Sequence, residues 1–112
     1  MIKFAVYRSG DNKISGMTIK GHAGYGEEGF YIVCAAVSTV LWMAIKGIEA
    51  QGLANVSYEQ EDGFVSCNIS SEREPACDAI LNSLMMTVSE LSKQYKKNIF
   101  IVNGVMVDGV LD

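Results

Sequence analysis

Twice along this chain a strand-like alternation of apolar and polar residues gives way to a run of helical period, and that repeated switch limits the folds open to it. Residues 2–8 alternate, with Ile2, Phe4 and Val6 set against Lys3, Ala5 and Tyr7. Ser9-Gly10-Asp11-Asn12 is turn chemistry, and 14–20 resume the alternation with Ile14, Gly16 and Thr18 against Met17 and Ile19. From Ile32 to Gln51 the spacing becomes helical, with a stripe of Val33, Val37, Val40, Leu41, Ala44 and Ile48. Ile32, Trp42 and Ile45 spread apolar character around that helix, which predicts burial on more than one side, and Gly52 closes it.

The pattern then repeats. Val56 and Tyr58 mark a strand, Asp62-Gly63 a turn, and Phe64 to Ile69 its partner. Ser71 to Glu74 fits a capping box ahead of Pro75, and Ile80, Leu84, Val88, Leu91 and Tyr95 trace a second helix. Asn98 to Val102 is a last strand; Asn103-Gly104 either turns it into a hairpin with Val105 to Val107 or opens a tail. The order β-β-α-β-β-α-β predicts an α+β fold, an antiparallel-rich sheet packed against two helices, with 1–112 as one domain.

Composition narrows the function. Hydrophobic content of 49% with 20% charged residues is that of an ordered core. The net charge is −4, and only Lys93, Lys96 and Lys97 approach a basic cluster, at a helix end where cations suit the dipole. That argues against direct nucleic-acid binding and for a basic protein or peptide partner. The N-terminus lacks the pattern of a signal peptide, and the longest apolar run, Tyr31 to Ile45, is too short to span a bilayer and is interrupted by Ser38 and Thr39. A soluble chain with no membrane role is expected. Three unpaired-looking cysteines at 34, 67 and 77 suit a reducing, cytoplasmic setting. One histidine and three dispersed cysteines do not make a metal site. Gly24-Tyr25-Gly26 lacks the third glycine and the lysine of a phosphate loop, so no cofactor is expected.

The chemistry concentrates between Gly21 and Ser38. His22, the only histidine, stands at the end of the second strand before a Gly-rich loop, and Cys34 follows in what reads as the first turn of the first helix. There the helix dipole would favour a thiolate. His22 would serve as general base and then general acid; the plainer readings are a loop histidine and a small buried hydrophobe. Ser38, one turn after Cys34, either supports such a pair or bonds back to the preceding turn. Cys67 and Cys77 read as core.

Gly21-His22-Ala23, the glycine-rich loop, and Ile32-Val33-Cys34-Ala35-Ala36-Val37-Ser38 together resemble the ribosomal-processing cysteine proteases. The resemblance covers essentially the whole chain in length and element order. It implies a cytoplasmic homodimer that removes a short N-terminal extension from large-subunit ribosomal protein twenty-seven, cutting after an aromatic residue. It carries over His22 as general base, Cys34 as nucleophile, Gly21 and Ser38 as site residues, and the loop between them as a mobile substrate-binding cover; Ala23, Gly24 and Tyr31 are expected to bind substrate or support the pair. Where the family pattern usually has Asp, this chain has Tyr31, whose phenol stays neutral near pH 7, with Glu27 and Glu28 nearby in sequence. The competing reading is a non-enzymatic ribosome-assembly or peptide-binding module of the same fold.

Overall fold

The computed structural model describes residues 1–21, 28–107 and 110–111, with side chains described for 1–21 and 32–104. Strands β1 (Ile2–Arg8) and β2 (Ile14–Lys20) form the first hairpin, followed by helix α1 (Glu28–Ala50). Strands β3 (Ala54–Glu61) and β4 (Phe64–Arg73) form the second, followed by helix α2 (Pro75–Gln94) and strands β5 (Ile99–Val107) and β6 (Val110–Leu111). The sheet order is β3-β4-β2-β1-β5-β6. All pairings are antiparallel except β1 with β5, which is parallel, so the sheet is mixed.

Opposite residues in neighbouring strands point to the same face of a sheet, and the register therefore identifies the core face. Phe4 stands opposite Ile19 and Ile101, Val6 opposite Met17, and Met17 and Ile19 opposite Cys67 and Val65. Val33, Val37, Leu41, Ala44, Ile45 and Ile48 of α1 and Cys77, Leu81, Leu84 and Val88 of α2 join these strand residues in one buried cluster. Burying each large aliphatic or aromatic side chain of this set is worth about 1.5–3 kcal/mol.

Four expectations are corrected. Ile14 does not alternate with Met17 and Ile19: Tyr7 pairs with Gly16 but Arg8 with Ile14, so a bulge at Ser15 turns Ile14 onto the core face. No capping box forms at 71–74, because β4 continues to Arg73; Glu74 is the N-cap, without a side-chain cap bond, and Pro75 begins α2. Asn103-Gly104 does not turn, since β5 keeps pairing with β1 through Val105. Finally, α1 is longer than the apolar run suggested. Its Ile32–Ala50 stretch is by length and composition sufficient to cross a membrane, yet its core stripe lies buried in the same cluster as the strands.

The end of α1 follows the expectation. Gly52 takes a φ of 63°, its N–H donates to the Glu49 carbonyl (3.1 Å), and the Leu53 N–H donates to the Ile48 carbonyl (3.0 Å), the two bonds of a Schellman cap.

Candidate active site

The end of β2 lies at the same end of the sheet as the N-termini of β1, β4 and β5 and the turn joining β3 to β4, and Cys34 of α1 is close enough to the N-terminal ammonium to feel its charge. Gly21 is fixed there by its neighbours. Its N–H donates to the Gly63 carbonyl of that turn (3.0 Å), and its φ is 91°. A Cβ built on it would stand 2.5 Å from the Met1 carbonyl oxygen, so no other residue fits without backbone movement. This anchor fixes the end of β2 at Gly21, the residue before His22 in sequence. His22, Ala23, Gly24 and Glu27 lie outside the described residues, as do the side chains of Glu28 and Tyr31.

Cys34 is placed differently from its sequence reading. Because α1 begins at Glu28, Cys34 is its seventh residue, past the unpaired N–H groups of the first turn. The dipole therefore has little leverage on its sulfur. Burial pushes the Cys34 thiol up, while the N-terminal ammonium pulls weakly the other way. A thiolate at neutral pH needs a closer partner than the helix.

The three cysteines are not equivalent. Cys34 retains 8% of its exposure, whereas Cys67 and Cys77 retain 0%. Cys67 lies on the core face of β4, and burial pushes its thiol up to about 11. Burial also raises Cys77, with the Arg73 guanidinium pulling it down. That guanidinium is itself enclosed, its side chain 2% exposed and 3.1 Å from the Asp78 carboxylate. Among the described residues no group of His, Cys, Asp and Glu is arranged to hold a metal ion.

Ser38 lies one turn beyond Cys34 on the same flank of α1. Ser83 and Thr87 of α2 bond back to the carbonyls of Ala79 and Ser83. Among the described residues the Ser38 hydroxyl makes no such bond, and it is half-buried beside Cys34. Sequence reasoning missed the Gly21–Gly63 bond, because nothing in either dipeptide announces a partner more than forty residues away.

A mixed sheet with both helices on one face, and on the first of them a buried cysteine that is less fully covered than the other two, frame the candidate site. The model of the cysteine protease Prp family matches residues 1–100, and the chain belongs to that family. It is 25% identical to the ribosomal processing cysteine protease Prp of Staphylococcus aureus (strain Mu50 / ATCC 700699), across 88% of this chain and 95% of the relative. It is 23% identical to the protein of the same name from Bacillus subtilis (strain 168), across 95% and 100%. The crystal structure of the S. aureus ribosomal processing protease Prp in complex with a substrate peptide has the same fold, with a TM-score of 0.85 at 22% identity, covering 92% of this chain and 99% of that one. The S. aureus protease with a covalently linked product peptide superposes with a TM-score of 0.81 at 23% identity, over 92% and 99% of the two chains.

Proposed function

We propose that this cysteine protease uses Cys34 as its nucleophile and His22 as its general base, and that it removes the N-terminal extension of large-subunit ribosomal protein twenty-seven. The observation that carries the reading is the inequality of the cysteines: all three are buried, but Cys34 retains 8% of its exposure against 0% for Cys67 and Cys77, and it feels the N-terminal ammonium at the end of the sheet where β2 reaches Gly21. Relatives named as ribosomal processing proteases, one seen with a covalently linked product peptide, support the same chemistry.

In this mechanism His22 takes the Cys34 proton and the sulfur attacks the carbonyl of the aromatic residue that precedes the cut. Backbone N–H groups hold the oxyanion, His22 protonates the departing amine, and water releases the acyl group. Burial raises the Cys34 thiol and so works against its ionisation; the imidazole supplies what the helix dipole does not. Ser38, which makes no back-bond among the described residues, stands one turn from Cys34, where it steadies the pair or meets the substrate.

The acting form is a homodimer in the cytoplasm. Ile32 and Met43, 62% and 68% exposed, lie along an outward strip of α1 with Ala35 and Thr39, an apolar surface suited to a second copy. Three free cysteines suit a reducing compartment.

Mass spectrometry of a synthetic peptide spanning the extension tests the assignment. A single cut after an aromatic residue is expected with the wild-type protein and none with Cys34→Ala, whose circular dichroism stays native. Cleavage by Cys34→Ala would remove Cys34 from the mechanism, and an uncut peptide with the wild type would remove the substrate.

A further inference from the structure

The flank of α1 that carries Cys34 continues past Ser38 to Trp42, the chain's only tryptophan. The core stripe lies to one side of this flank. On the other side of that stripe the helix meets α2, where a Cβ on Gly47 would reach Ile80 at 3.8 Å. The Cys34–Ser38–Trp42 flank therefore turns toward β3, the strand at the edge of the sheet. There the Trp42 ring meets Tyr58 edge-on, centroids 5.2 Å apart and planes at 83°. Tyr58 stands opposite Cys67 and so shares the core face of the sheet, but at the edge it remains 43% exposed.

Distances along the two elements agree. Trp42 is eight residues beyond Cys34, about 12 Å along a helix. Tyr58 is three residues short of Glu61, the end of β3 at the catalytic side, about 10 Å along a strand. An extended peptide covers about 12 Å in three to four residues. The outer edge of β3 has no strand partner among the described residues, and its free backbone groups suit a chain lying extended beside it.

Resting on the protease reading above, we propose that Trp42 and Tyr58 form a substrate subsite. It takes an apolar or aromatic side chain three to four residues from the scissile bond, while the intervening residues cross Ser38. The edge-on pair leaves aromatic surface against which that side chain packs. The subsite supplies binding energy remote from the reacting carbonyl and so acts on affinity. Trp42 packs against the margin of the core, and Tyr58 beside it at the sheet edge stays 43% exposed, so the pair offers aromatic surface to a chain lying there.

Steady-state kinetics on two synthetic peptides test it. One spans the ribosomal protein's extension; the other is cut back to two residues on either side of the scissile bond, too short to reach Trp42. Tyr58→Thr, a replacement that keeps strand preference, is expected to raise KM for the long peptide about three- to tenfold at unchanged kcat, the scale of an aromatic contact. The short peptide should not distinguish Tyr58→Thr from wild type, and Tyr58→Phe should restore KM for the long one. Equal effects on both peptides, or none on either, would overturn the subsite and leave the protease standing. A wild-type protein that cuts neither peptide would remove the proposed substrate, and the subsite argued on it.

Discussion

Gly21 and the three cysteines show how much chemistry single positions carry here. At Gly21 a positive φ and the Met1 carbonyl both exclude a side chain. Gly21→Ala should cost about 1–3 kcal/mol, seen as a lower urea midpoint, and should depress peptide cleavage by moving the chain that leads into His22. Cys67 gives a pH signature of its own. Its folded pKa, about 11, lies above the ordinary 9.0, so the protein favours the neutral thiol. That contribution is complete below pH 9 and is lost as pH rises toward 11. Urea midpoints should fall across that window, and the fall should shrink in Cys67→Ala. Cys34 is raised by burial in the same direction. Removing the imidazole with His22→Ala should therefore move the pH midpoint of Cys34 alkylation upward, and an unmoved midpoint would mean that His22 does not set its ionisation.

At the scale of elements, the Arg73–Asp78 ion pair, with the Arg73 side chain enclosed, joins the end of β4 to the first turn of α2. Arg73 also donates from Nε to the Ser70 carbonyl (3.0 Å), tying the end of β4 to the helix. Arg73→Ala should destabilise the fold by about 1–3 kcal/mol, read by urea denaturation, since it strips charged hydrogen bonds from a covered site. Both hairpins, both helices and the Gly52 cap were legible from period and turn chemistry, which are local properties of the chain. What escaped was set by partners distant in sequence. The Ser15 bulge exists because β2 must match β1, and β5 runs past Asn103-Gly104 because β1 is there to pair with it. The Ser71–Glu74 pattern was overridden when β4 lengthened against β3, with Arg73 pairing with Ala54. At the site, the spacing of Gly21, His22 and Cys34 was readable. The position of Cys34 within α1 was not, because the helix starts ahead of its apolar stripe.

For the molecule as a whole, the arrangement separates stability from action. The core joins one face of the sheet to both helices, while the candidate site gathers at one end of it and the apolar strip of α1 faces outward. A second copy on that strip predicts a dimer by sedimentation, and Met43→Lys should shift it toward monomer with little change in the thermal midpoint of the subunit. A monomeric wild type at micromolar concentration would contradict the dimer.

In the proposed mechanism one thiol of three, Cys34, does the work. Peptide-cleaving activity followed alongside the mass-mapped extent of iodoacetamide modification at each cysteine tests this. Activity should fall in proportion to labelling of Cys34 alone, with Cys67 and Cys77 unmodified while the fold persists. Activity that survives full labelling of Cys34, or that falls in step with another cysteine, would contradict the account.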